Sequence, residues 1–217
     1  MPPLSKEAAI AYFDASISGT EVDYQQAADL ELELSKLFAD KEAFAKLKTI
    51  RDSRAVSDPL LVRQLEVLYH SYLSKQIDEQ KLEDMIRLQT ENEKKFSTFR
   101  AVVDGKKYTD NEIEEILRTS SDNTELEAAW RASKDIGPVV AEDVLRLVKM
   151  RNEAAKELGF ENYHAMQLEL SEQDPDAIAL LFDELDELTR SAFAELKSQM
   201  DEKLAARYGV AVDELMP

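Results

Sequence analysis

Apolar residues recur at intervals of three and four along nearly the whole chain, the spacing that turns one face of a helix towards a core. Residues between these runs set where each helix begins and ends. Ser5 is placed to cap a first helix running to about Ile17, where Ser18-Gly19 breaks it. Thr20 opens a second, with Leu30, Leu34, Leu37 and Phe38 along one face. Asp40 restarts the chain towards Phe44, Leu47 and Ile50. Asp58-Pro59 is a strong start, because Asp58 can accept an orphan amide bond and Pro59 fits the first turn. Leu61, Leu65, Leu68 and Tyr72 then form the buried stripe of that helix, and Asp78 begins another through Leu82, Met85, Ile86 and Leu88 to about Phe96.

The pattern changes once. Phe96 to Val103 and Lys106 to Thr109 are β-prone runs on either side of Asp104-Gly105, a good hairpin signal, and predict a short two-stranded element near residues 98–109. Helices then resume. Thr109 with Glu112, and Thr124 with Glu127, have capping-box spacing. A long helix from about Pro138 ends at Leu158-Gly159, a shorter one covers about Glu161 to Leu170, and Asp174-Pro175 starts a last long helix ending near Tyr208-Gly209. The fold class expected is all-α, an array of long antiparallel helices with that one hairpin. No fixed-period repeat or low-complexity linker interrupts it, so residues 1–217 read as a single helical region.

Composition narrows the function. A chain of 217 residues, 44% of them hydrophobic, can bury a sizeable core, and its 5 Gly and 6 Pro favour helix over sheet. A formal charge of −18 repels phosphate and anionic lipid, which argues against nucleic acid and membrane surfaces as partners. With no Cys there are no disulfides, thiolate metal sites or cysteine nucleophiles. The absence of a leader-like apolar run near the start makes a cytoplasmic location the plain expectation.

No catalytic constellation is visible, so catalytic, cofactor-binding and metal-ligating residues are all expected to be absent. Only two histidines occur, His70 and His164, on different predicted helices. A zinc peptidase needs two imidazoles one helical turn apart with a glutamate between them, and no His-Glu-x-x-His is present. His70, beside Tyr69 and Tyr72, is expected in a half-buried structural role, and His164 in packing or capping. Asp183, Glu184, Asp186, Glu187, Glu112, Glu114 and Glu115 read as solvated helix faces rather than acid–base pairs. Trp130 is expected to anchor a core, and Phe160 and Tyr163 to pack back onto the helix before them.

Several runs resemble the angiotensin-converting-enzyme-like peptidases. Ala128-Ala129-Trp130-Arg131-Ala132-Ser133 is similar to their Ala-Trp-Glu-x motif, with Arg131 where that motif has its acid. Leu147 to Ala155 resembles their Leu-x-Asn-Glu-Ala-Ala helix, and Leu158-Gly159-Phe160-Glu161-Asn162-Tyr163 the turn that follows it. Ala205-Ala206-Arg207-Tyr208-Gly209 resembles the Arg-Tyr-Gly ending the family's next long helix. Upstream, Ala11 to Ser16 and Phe96 to Arg100 look like bacterial and oligopeptidase-like relatives.

The resemblance implies the amino-terminal helical part of a larger two-lobed zinc oligopeptidase or dipeptidyl carboxypeptidase. These residues would form a wall and lid over the cleft, with peptides as the parent's substrates. Zinc would belong to the full-length parent and not to this chain, which alone should be inactive. The face left by a missing catalytic half would be apolar and open to self-association. Two alternatives stay open: a stand-alone helical binding or scaffold protein, and a piece that pairs with a separately encoded catalytic half.

Overall fold

A computed structural model describes residues 2–215. It contains ten α-helices among those residues and one antiparallel hairpin, in the order α1 (Pro2–Ser18), α2 (Glu21–Phe38), α3 (Lys41–Ser53), α4 (Pro59–Leu73), α5 (Glu79–Thr98), β1 (Ala101–Val103), β2 (Lys106–Tyr108), α6 (Asp110–Thr119), α7 (Asn123–Lys134), α8 (Ile136–Glu157), α9 (Tyr163–Leu170) and α10 (Pro175–Tyr208). The expected all-α class with its hairpin is what the chain adopts. Its residues fall into two compact units, one formed by the chain up to Thr98 with Val140–Asp174, the other by Phe99–Val139 with the residues from Pro175 on.

In the first unit α1 and α2 form a helical hairpin. Small residues on α1, Ala11 and Ala15, let α2 approach closely enough for Tyr24 and Ala27 to bury against them. Gly19 makes the corner at φ +66, where a side chain would be strained. Thr20 caps α2 by accepting the Asp23 N–H at 3.3 Å. A second cluster joins Leu32 of α2 to Ile77, to Leu82 and Ile86 of α5, and to Ala154 of α8. Asp40 and Asp58 cap α3 and α4 as their positions predict, each accepting two backbone N–H groups.

On α3 and α4 the contacts are aromatic and ionic. Phe44 stacks on Tyr69 at 5.4 Å, Arg51 lies over the same ring at 4.1 Å, and the Arg51 Nε donates to Glu66 at 2.9 Å. The Gln76 amide donates to the Phe38 carbonyl at 2.8 Å and ties the end of α2 to the link after α4.

In the second unit Asp104 and Gly105 turn the hairpin with φ +51 and +79, the left-handed pair that suits a two-residue connection. Ala101, Ile113, Ala129 and Ala132 form its core, flanked by Phe99, Val103, Tyr108 and Ile116. The Thr109–Glu112 capping box is present in both directions.

Five local expectations are corrected. Ser5 does not cap α1, which already begins at Pro2, since proline is tolerated in a first turn. On α2 the deepest leucine is Leu32, whereas Leu37 is exposed. The stripe assigned to α4 holds only in part: Leu65 and Tyr72 are half-buried, Tyr72 against Phe38, but Leu61 and Leu68 are exposed and no residue of α4 is fully buried, because its contacts with α3 run through Glu66 and Tyr69, one position further round. Asp122, not Thr124, caps α7 by accepting the Thr124 N–H at 2.9 Å, and Glu127 pairs instead with Arg131 at 2.7 Å. Trp130 is half-buried under Lys134, and its neighbours Ala129 and Ala132 take the core positions expected of it.

Candidate functional site

One concavity of the first unit is a cleft of about 460 Å³. Four helices and the link after α4 contribute to it. Arg63, Val67 and His70 come from α4; Leu82, Met85 and Ile86 from α5; Arg151 and Ala154 from α8; Tyr163 and Met166 from α9. Lys75, in the link between α4 and α5, and Glu172, just after α9, complete the charged part of the lining.

The resembling motifs explain how α8 and α9 are held beside this cleft. Ala154 and Ala155 are buried, so their small side chains allow close packing along α8. Gly159 stops the helix at φ +92, with the Phe160 N–H donating to Ala155 O and the Gly159 N–H to Lys156 O, both at 3.0 Å. Asn162 caps α9 through the Ala165 N–H at 2.9 Å. Asn152 accepts the Tyr163 N–H at 2.9 Å, and the Arg151 guanidinium lies 5.2 Å from the Tyr163 ring centroid. Tyr163 thus packs back onto α8 as expected. In the second unit, the Asn123 amide donates to the Tyr208 carbonyl at 2.9 Å, which fixes the end of α10.

Charge is distributed unevenly in the cleft. Arg63 pairs with Glu172, whose backbone is left-handed at φ +60, and this hydrogen-bonded pairing holds the Glu172 carboxyl below its ordinary range. Arg151 donates to the side-chain amide oxygen of Gln89 at 2.8 Å, a neutral partner. Lys75 forms no ion pair among the described residues. Burial pushes its ammonium below the ordinary lysine range, opposed in part by the field of Glu31.

His70 and His164 do not meet. His70 is half-buried in the cleft lining, 6.0 Å from the Tyr69 ring, while His164 is exposed on α9, where Asn162 rather than His164 does the capping. Among the described residues, no three His, Cys, Asp or Glu side chains group closely enough to hold a metal ion. The donor set here does not fit zinc.

Asp183, Glu184, Asp186 and Glu187 are all exposed on α10, and Asp186 is paired with Arg190. Sequence reasoning missed Lys75, Arg63, Arg151 and Glu172. Nothing local distinguishes them among 27 cations and 45 acids, because their relation is made only by packing.

A second feature is a helix face rather than a cleft. Along α10, Leu180, Phe182, Leu185, Leu188, Phe193, Leu196 and Met200 are all exposed, Leu188 at 77% and Phe193 at 65%. Phe182, Leu185, Phe193, Leu196 and Met200 recur at spacings that keep them on one side of a straight helix. Among the described residues no helix is long and apolar enough to cross a membrane.

A family model described as angiotensin-converting enzyme matches residues 3–215. No curated protein and no solved structure matches the chain.

Proposed function

The chain belongs to the angiotensin-converting-enzyme family of peptidases, and from that premise we propose that its residues form the helical wall and lid of a peptidase cleft. The metal chemistry would come from polypeptide outside these residues, since the family is zinc-dependent and the donor set described above does not fit zinc. In this reading the substrates are short, flexible peptides, selected by access: a helical enclosure admits an extended chain and turns away a folded one. The location is cytoplasmic, in keeping with a cysteine-free sequence.

The observation that carries the proposal is the exposed apolar side of α10. Single exposed leucines are ordinary, but five large apolar side chains along one side of a helix, Phe182, Leu185, Phe193, Leu196 and Met200, are what a face looks like when other polypeptide packs on it. A stand-alone scaffold would be expected to present a polar α10 instead.

The test is enzymatic and genetic together. The purified chain should show no chelator-sensitive hydrolysis of quenched short peptides. Its coding frame, or a neighbouring one, should supply a His-Glu-x-x-His segment that restores zinc-dependent turnover when co-expressed. Chelator-sensitive turnover by this chain alone would refute the reading.

A further inference from the structure

We propose that the cleft bounded by α4, α5, α8 and α9 binds a small organic carboxylate with an apolar body, held through Lys75 and Arg151. This site lies wholly within the first unit and does not depend on where the peptidase chemistry resides.

Three observations lead there. The first is size: about 460 Å³ falls inside the range of small-molecule sites, roughly 300–1,000 Å³. The second is the lining, where Ile77, Leu82, Met85, Ile86, Leu158 and Met166 supply an apolar floor suited to an alkyl or aryl body.

The third is charge. The protein carries a net −18, yet this lining holds Arg63, Lys75 and Arg151 against the single carboxylate of Glu172. Glu172 is already engaged by Arg63. Arg151 satisfies its donor on neutral Gln89 and its π face on Tyr163, and it forms no ion pair among the described residues. Lys75 has only the field of Glu31 to offset burial, and Glu31 does not come within ion-pair distance. A half-buried ammonium without a carboxylate partner is a costly arrangement in a chain with so many acids to offer. An incoming carboxylate would supply the missing charge, and its apolar body would cover the floor.

The chemistry excludes other ligand types. A cation would meet two like charges, and a neutral amide would leave both uncompensated. A multiply charged phosphate compound would match the charge but not the apolar floor.

The experiment uses the whole chain labelled with 13C at its methionine methyls, which places two reporters, Met85 and Met166, in the cleft. The probes are octanoate and octanamide, titrated separately. Octanoate should shift the Met85 and Met166 resonances and leave the other methionines in place. Octanamide should bind at least tenfold more weakly. Lys75→Met should weaken octanoate at least tenfold, and Lys75→Arg should retain it.

A second measurement covers the case in which Lys75→Met does not fold. Bound octanoate should raise the Lys75 pKa, read on the Nζ resonance of the unsubstituted protein, because the carboxylate favours the charged ammonium. Equal binding of acid and amide, or an unmoved Lys75 titration at saturating octanoate, would overturn the proposal. So would the absence of any shift at Met85 and Met166.

Discussion

The side-chain oxygen of Asn152 accepts the backbone N–H of Tyr163 at 2.9 Å, binding the last turns of one helix to the first residue of the next. Gly159 lies between them and reverses the chain, so the bond closes a short loop that would otherwise be held only by its ends. The motif asparagine of α8 therefore has a structural task, which is to set the direction in which α9 leaves and with it the position of Tyr163 and Met166 in the cleft.

Asn152→Ala should lose about 1–2 kcal/mol, the usual cost of leaving a partly buried amide without its acceptor. Asn162→Ala should lose about 1 kcal/mol as a lost helix cap. Because the two act on one turn, the double variant should lose less than the sum. Urea unfolding of the four proteins measures this directly.

Gly19→Ala should destabilise more than Gly105→Ala. Both glycines have positive φ, but a Cβ at Gly19 would meet Thr98 Cγ2 at 3.2 Å, whereas one at Gly105 meets nothing within 4 Å. The backbone strain alone costs about 1 kcal/mol at each. Thermal melting of the two variants should therefore separate them, with Gly19→Ala the lower.

The α6 capping box should weaken in acid. Bonds from the Thr109 N–H and hydroxyl to the Glu112 carboxylate hold the Glu112 pKa below its ordinary value. A carboxyl whose pKa falls on folding contributes stability at pH above its unfolded value and loses it as pH drops through the folded one. The stability gap between the unsubstituted protein and Glu112→Gln should be present at neutral pH and close below the ordinary carboxylate range. A gap unchanged down to strongly acid pH would contradict this.

Lys75 works in the opposite sense. Its folded pKa is lowered by burial, so the unfolded state binds more protons in the alkaline range and stability rises with pH there. Lys75→Met should be at least as stable as the unsubstituted protein at neutral pH, and its advantage should shrink as pH climbs through the folded lysine pKa. Chemical unfolding between neutral pH and about pH 10.5, near the ordinary lysine value, tests the slope.

Replacing Leu188 and Phe193 by serine should leave folding stability within about 0.5 kcal/mol, because both side chains are already in water. The same pair of changes should reduce hydrophobic-dye binding and any concentration-dependent self-association of the chain. A large loss of stability would mean that these side chains are covered in solution.

The helix starts at Thr20, Asp40, Asp58 and Thr109 are legible in the sequence alone, and so are the breaks at Gly19, Gly159 and Gly209. The hairpin at Asp104-Gly105 is equally plain. Two other signals mislead for a common reason: Thr124 and Ser5 have capping chemistry but lie inside helices that begin earlier. The burial pattern is less readable. Leu61, Leu68 and Trp130 look like core residues on an amphipathic face, yet each retains substantial exposure because the neighbouring helices meet the chain elsewhere.

Capping and turn formation are settled within about four residues, so the order of side chains along this chain was enough to set its helices, its hairpin and, through collinear motifs, its family. Which face of each helix is buried depends on partners far away in the chain. Arg63 meets Glu172 across a separation of 109 residues, and among the described residues Lys75 forms no ion pair in a sequence with 45 acids. Those relations arise only when helices pack, since burial and ion pairing are properties of what surrounds a side chain and not of its neighbours in sequence.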